Sequence, residues 1–250
     1  MRIPPFHWWR TVFYLIPVVS VYTIVLGTLS LVSTLFDRSG DFGHRCARAW
    51  ATLILKTTGV RVAVTGLDQL DSGRSYVFAS NHQSIYDIPI VFAALPWQLR
   101  IVAKESLGRF PFLGWHLQRT GHLLVDRHNP GAGIVKKMAR LVADKRSLII
   151  FPEGTRSVDG TVARFKGGVF LLATDARLPV VPISIAGSRH VMKKGRLMVC
   201  PGEVTVTIHA PLATEGVSRD RVRAFAEHVR EVVRRDVDEP AGARATIHGP

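Results

Sequence analysis

Tyr76-Val77-Phe78-Ala79-Ser80-Asn81-His82-Gln83-Ser84-Ile85-Tyr86-Asp87 is the stretch on which the reading of the fold turns. Its first five residues carry no charge and are rich in β-prone types, the mark of a short buried strand. The apolar spacing from Ile85 to Ala94 suits a helix. A polar island, Asn81 to Ser84, joins the two. About seventy residues on the arrangement returns: apolar Ser147–Phe151 runs into Pro152-Glu153-Gly154-Thr155-Arg156-Ser157, and a helical stretch, Gly167–Asp175, follows.

Working outward, short β-rich runs alternate with helical ones from about Val60. Further strands are expected at Val60–Thr65, Arg100–Ala103, His122–Val125, Val180–Ile185, Arg196–Cys200 and Val204–His209, and further helices at Phe112–Gln118 and Gly131–Asp144. Such alternation predicts an α/β fold, a layered, mostly parallel sheet with flanking helices. In sheets of this kind sites gather at the C-terminal ends of strands, where both polar islands lie. Ser218 is placed to cap a final helix with Val222, Phe225, Val229 and Val232 on one face. Beyond Asp236 the tail is small and polar, and disorder is expected.

Ahead of this region, Thr11 to Phe36 holds no charged residue. As a helix, these roughly 26 residues span about 39 Å, enough for a hydrocarbon core of about 30 Å. Trp8 and Trp9 sit where an interfacial aromatic belt would lie. Pro17 and Gly27 are candidate breaks, so a re-entrant hairpin competes with a straight span. Basic residues flank the run on both sides (Arg2 and Arg10; Arg38, Arg45 and Arg48) and do not fix its orientation. A second helix places Cys46, Ala49, Trp50, Leu53 and Ile54 on one face; it reads as an interfacial helix or as a core-packing one. Residues 1–57 therefore form an N-terminal membrane-associated helical segment, 58–212 the α/β domain, and 213–250 a C-terminal helix and tail.

The chain of 250 residues carries 33 Lys and Arg against 19 Asp and Glu, a formal net charge of +14. That balance favours an anionic partner. Because the mean hydropathy is nonetheless positive, an anionic membrane surface fits better than nucleic acid. Cys46 and Cys200 show neither zinc-ligand spacing nor a disulfide framework.

Histidine as a residue type titrates near neutrality, so a histidine at position 82 can take a proton from an alcohol. Asp87 is the nearest carboxylate that can hold its other nitrogen. Residues five apart point about 140° from each other on an ideal helix. The pair therefore meets only if His82 lies in the loop and Asp87 in the first helical turn, with Ser84 as a possible cap. His-x4-Asp is a weak motif alone, and an incidental histidine before a capped helix is its plain alternative. In the second island Gly154 permits a tight turn. Arg156 offers a planar fork for phosphate, and Glu153 is placed to orient Arg156 or a substrate hydroxyl. A solvated Glu–Arg turn is the plainer reading. Lys104 and Arg127 also follow apolar strands, so with Arg156 three cations stand at strand ends, which is economically explained by an anion pocket. His116, His122 and His128 recur every six residues, a spacing that suits no single face, and read as incidental.

Taken together, Asn81-His82-Gln83-Ser84-Ile85-Tyr86-Asp87, Lys104-x-Ser106-Leu107 with Pro111, Gly114 and Asp126-Arg127, Phe151-Pro152-Glu153-Gly154-Thr155-Arg156-Ser157, and Val180-Val181-Pro182-Ile183 resemble the four ordered blocks of the glycerolipid acyltransferases, most closely the bacterial 1-acylglycerol-3-phosphate acyltransferases. The blocks span Asn81 to about Ile185. The resemblance implies His82 as base and Asp87 as its partner. It implies a glycerol-phosphate site formed by Lys104, Glu153, Gly154, Thr155 and Arg156, with Arg127 beside them, and gives Pro182 a structural or acyl-site role. The expected reaction moves an acyl group from acyl-CoA or acyl carrier protein to the hydroxyl of 1-acylglycerol-3-phosphate. Acyltransfer to another lysolipid and a membrane serine hydrolase are the alternatives, though no Gly-x-Ser-x-Gly elbow occurs. Neither a cofactor nor a metal is expected. The expected setting is the cell membrane, with the catalytic domain on its cytoplasmic face and no nucleic-acid partner.

Overall fold

The computed structural model describes residues 4–37, 39–109, 112–125, 140–141, 143–144 and 146–238. Helix α1, Phe6–Ser33, opens the chain, and α2, Asp41–Thr58, turns back along it. Then follow β1 (Val60–Thr65), β2 (Val77–Ser80), α3 (Asp87–Ala94), β3 (Leu99–Lys104), α4 (Leu113–Arg119), β4 (Leu123–Val125) and β5 (Ser147–Ile150). Helix α5 (Gly167–Asp175), β6 (Val180–Ala186), the short α6 (Ser188–Val191), β7 (Gly202–Ile208) and α7 (Val222–Asp238) complete it.

Seven strands form one sheet in the order β1-β7-β6-β2-β5-β3-β4. All neighbours run parallel except β6 and β7. Five strands (β6, β2, β5, β3 and β4) thus point the same way and end on one edge. Alternation within the central strands builds two cores. Phe78, Ile149, Val181 and Ile183 face one side, with α2 and α3. Val77, Ala79, Leu148 and Ile150 face the other, with α5 and α7. Central strands buried on both faces explain why their sequence reads as unbroken apolar runs.

The mostly parallel α/β sheet agrees with the sequence reading, with instructive differences. Arg196–Cys200 is extended but joins no ladder. The Val199 N–H is taken by the Thr11 hydroxyl at 2.9 Å and the Cys200 N–H by the Val191 carbonyl at 2.9 Å, and Pro201 brings no donor. In α7 the buried face is Val222, Ala226, Val229 and Val233, leaving Phe225 and Val232 only partly covered. No side-chain cap from Ser84 opens α3; its hydroxyl donates to the Met192 carbonyl at 2.8 Å. The Gly131–Asp144 helix falls almost wholly, and the tail beyond residue 238 wholly, outside the described residues.

Neither Pro17 nor Gly27 breaks α1. Thr11–Leu15 forms a π-helical turn just before Pro17, a local widening that accommodates the missing N–H. The hairpin forms instead between α1 and α2. Trp50 Nε1 donates to the Thr23 hydroxyl at 3.0 Å, and the Tyr22 and Thr57 hydroxyls meet at 3.2 Å. Of the face expected on α2, Cys46 and Ile54 enter the core, whereas Ala49 and Leu53 are exposed. The core-packing reading of this helix therefore prevails over the interfacial one.

Candidate active site

The chain leaves β2 into a loop held from several directions. Asn81 is fully buried and clasps β6: Nδ2 donates to the Ile185 carbonyl and Oδ1 accepts the Ile185 N–H, each at 2.8 Å. The next residue, His82, donates its backbone N–H to Glu153 Oε1 at 2.7 Å, and its carbonyl accepts the Ser157 N–H at 2.7 Å. Its ring stacks on Phe151, with centroids 4.3 Å apart. His82 Nδ1 lies 2.8 Å from Asp87 Oδ2. The geometry expected from the spacing is met, since His82 is in the loop and Asp87 opens α3.

Asp87 is completely buried. Its Oδ2 also accepts the backbone N–H groups of Gln83 at 2.7 Å and Ser84 at 2.9 Å. An oxygen already receiving two N–H donors is an acceptor toward the imidazole as well. The proton of a neutral His82 therefore sits on Nδ1, and the lone pair is on Nε2. Among the described residues no side chain or backbone group bonds to Nε2.

The second island lies next to the first because β2 and β5 are neighbours in the sheet. Glu153 was expected to touch Arg156 or the substrate. It is instead 4% exposed, and its oxygens are occupied by the N–H groups of His82 and, at 3.0 Å, Ala163. Burial raises its carboxyl pKa against these two bonds, which lower it. Gly154 has φ +80°, the left-handed conformation glycine adopts without strain. Beyond it Arg156 is half-buried, and among the described residues its guanidinium has no bonding partner. Lys194, which the sequence reading passed over, braces the turn: Nζ donates to the Thr155 hydroxyl at 3.0 Å and the Arg156 carbonyl at 2.9 Å. Its one linear sign was the Lys193-Lys194-Gly195 turn.

Lys104 ends β3 and is exposed. The strand order puts β5 between β2 and β3. With strands about 4.8 Å apart, the Lys104 backbone lies on the order of 10 Å from that of His82. Lys104 and Arg156 thus share the edge that carries the dyad. Arg127 lies outside the described residues. Pro182 is buried within β6, level with Ala79. His116 and His122, read as incidental, stack 6.4 Å apart at the other end of the sheet.

This arrangement can deprotonate a hydroxyl at Nε2, hold the resulting imidazolium against a buried carboxylate, and offer cations on the same edge of the sheet to an anionic substituent. Residues 61–186, half of the chain, match the family described as Acyltransferase. The 1-acyl-sn-glycerol-3-phosphate acyltransferase of Saccharomyces cerevisiae is 31% identical over 207 residues, covering 81% of this chain and 68% of that protein. The coconut (Cocos nucifera) enzyme of the same name is 31% identical, over 77% of this chain and 62% of its own length. The alpha enzyme of Mus musculus is 34% identical over 69% and 62% respectively. The likeness is therefore not confined to bacterial members. The crystal structure of the 1-acyl-sn-glycerophosphate acyltransferase from Thermotoga maritima superposes with a TM-score of 0.76 at 26% identity, covering 96% of this chain and 97% of that one. On the extent of these matches, the chain belongs to the family of 1-acyl-sn-glycerol-3-phosphate acyltransferases.

Proposed function

We propose that the chain transfers a fatty acyl group from a thioester, acyl-CoA or acyl carrier protein, to the free hydroxyl of a 1-acylglycerol-3-phosphate, yielding phosphatidic acid. His82 Nε2 takes the hydroxyl proton as the oxygen attacks the acyl carbonyl. The imidazolium is held by Asp87 and returns the proton to the departing thiolate. Arg156, with Lys104, takes the acceptor's phosphate. Glu153, Gly154 and Thr155 position His82 and Arg156 and need not touch substrate. The observation that carries this reading is the fixed tautomer, which leaves a basic nitrogen at a strand end, on the edge that also carries Arg156. A serine nucleophile finds no support in Ser84, whose fully buried hydroxyl is engaged with Met192. The test is a donor-by-acceptor matrix read by mass spectrometry. Acyl transfer requiring both thioester and 1-acylglycerol-3-phosphate, and lost in a folded His82→Ala protein, is the expected result. Thioester consumption without an acceptor would refute it.

We further infer that the membrane is met along the length of α1. This helix is strongly apolar, yet little of it is buried against the rest of the chain. Phe13, Ile24, Leu35 and Phe36 are each at least two-thirds exposed. The helix is also tied down at both ends, by Thr11 to Val199 and by Ser30 to His116 at 3.0 Å. A helix docked at both ends cannot cross a bilayer while its domain stays outside. An interfacial hairpin presenting its apolar face, with the domain against an anionic cytoplasmic leaflet, satisfies both facts. Retention that carbonate disrupts no more than detergent-free low salt, or loss of retention in high salt alone, would count against it.

A further inference from the structure

The sheet has a second polar edge. The N-terminal ends of β3 and β4, and Arg146 just before β5, meet the end of α1 and the start of α2 around a cavity of about 220 Å³. Arg100, the second residue of β3, is 4% exposed. Its terminal nitrogens donate to the Leu99 carbonyl at 3.0 Å and Gln98 Oε1 at 3.3 Å, but Nε has no partner. Arg146, bonded to the Ser39 carbonyl and 3.5 Å from an Asp144 carboxylate oxygen, and Arg119, on the exposed rim, add two guanidiniums. His122 Nδ1 accepts the Ile101 N–H at 2.9 Å, so the neutral ring carries its proton on Nε2. His44 lines the same space.

Among the described residues, Asp37 is the carboxylate lining this space, and Asp41 and Asp144 lie near enough to act on Arg100. The Asp37 oxygens already accept from the Ser39 hydroxyl and the N–H groups of Gly40 and Phe42. Burial, then the neighbouring Arg100 charge, pushes His44 down to about 4 and His122 to about 3. Arg100 itself falls to about 10, chiefly through burial, and stays charged at neutral pH. Gly121 keeps the space beside Arg100 open: a Cβ there would stand 3.5 Å from Arg100 Nε and 3.7 Å from Arg146 Nη1. A buried guanidinium N–H without an acceptor, beside two further arginines at the edge of a cavity, calls for an anion.

We propose that this cavity is a second oxyanion site that takes a phosphate group, borne either by free phosphate or by an anionic lipid headgroup. It is separate from the catalytic edge, because Arg100 precedes Lys104 by four extended residues, about 13 Å. A phosphate held there would join the end of α1 to the strand ends and so fasten the hairpin to the sheet. The test is thermal melting of the full chain in neutral-detergent micelles, at constant ionic strength, in an Arg156→Ala background that disables the catalytic anion site. Inorganic phosphate should raise the melting temperature saturably if the free ion is the ligand. Phosphatidic acid or phosphatidylglycerol in the micelles, but not phosphatidylcholine, should do so if the headgroup is. Adding Arg119→Ala should weaken half-saturation about tenfold, the loss of one charge-assisted hydrogen bond, and Arg100→Gln should abolish it. Arg119 is exposed, so its variant does not depend on the fold tolerating a buried change. The proposal is overturned if neither phosphate nor anionic lipid shifts the melting temperature, or if Arg119→Ala leaves the shift unaltered.

Discussion

Asp87→Asn separates two things a carboxylate can do for His82, orient it and stabilise its charge, and the geometry predicts which one survives. Oδ2 accepts three N–H groups, from His82, Gln83 and Ser84, whereas the buried Oδ1 has no partner. An asparagine amide fits only with its oxygen at the Oδ2 position, since the reverse would aim NH₂ at two backbone N–H groups. The Nδ1–H tautomer is therefore kept and only the charge is lost. The bonds to Gln83 and Ser84 are the same in ground and transition states and drop out of the rate. The bond to His82 changes, because an imidazolium forms there. A charged rather than neutral acceptor is worth about 1–1.5 kcal/mol more. Coulomb attraction at 4 Å with an effective dielectric constant of 20 sets an upper bound of about 4 kcal/mol. At 1.36 kcal/mol per decade, turnover should fall about 10- to 10³-fold, with little change in either KM. His82→Ala should reach or exceed the ~10²–10⁴-fold loss typical of a missing general base. The assay is kcat at saturating donor and acceptor, with thermal melting of each variant. A loss near 10⁴-fold, the size associated with a wrong tautomer, would show that the amide flips. Wild-type turnover would remove Asp87 from the mechanism.

Arg156→Lys should raise the KM for the phosphorylated acceptor and spare that for the acyl donor, because lysine cannot reproduce the bidentate fork; paired saturation curves decide, and equal effects on both substrates would contradict the assignment. Glu153→Gln leaves one oxygen to serve two backbone N–H groups, so it should cost about 1–3 kcal/mol of stability and lower kcat more than either KM, as read by denaturant unfolding and kinetics. Stability should fall as pH drops from about 6.5 to about 4. His44 and His122 have folded values lowered to about 4 and about 3 from 6.5, so the unfolded chain binds more protons across that window. Melting curves against pH should show the fall, and His44→Gln should flatten it.

How much of this was legible in the sequence follows from where each signal lies. The strands β2, β5 and β6 are buried on both faces, and their unbroken apolar runs announce them. His82 and Asp87 sit five apart across a single strand-to-helix turn, so local geometry alone brings them together. By contrast, Arg196–Cys200 has the composition of a strand, and what removes it from the sheet is a hydroxyl from Thr11 at the far end of the chain. The cavity around Arg100 was invisible for the same reason. Its residues come from α1, α2, β3, α4, β4 and the start of β5, no two of which form a motif. His116 and His122 looked incidental because six residues suit no helical face, yet α4 and β4 fold against each other and close that gap.

Glu153 shows what the order of the blocks means physically. Read along the chain, it belongs with Arg156 as a second chemical island. In three dimensions its carboxylate reaches across from β5 to the backbone of His82, while Ser157 reaches the His82 carbonyl from the same loop. Two of the three hydrogen bonds that fix the base therefore come from a segment seventy residues away, and the third comes from Asp87. The adjacency of β2 and β5 makes this possible, because parallel neighbours deliver their loops to the same edge. It also sets the division of labour. On the proposed mechanism the first loop is committed to the proton and the near side of the second loop to holding the first, while the far side, beyond Gly154, carries Arg156 on the edge that also bears Lys104. A substrate whose hydroxyl and phosphate are a few bonds apart would bring both to that one edge, which is why the acceptor's phosphate, and not its acyl chain, should register any disturbance at Arg156.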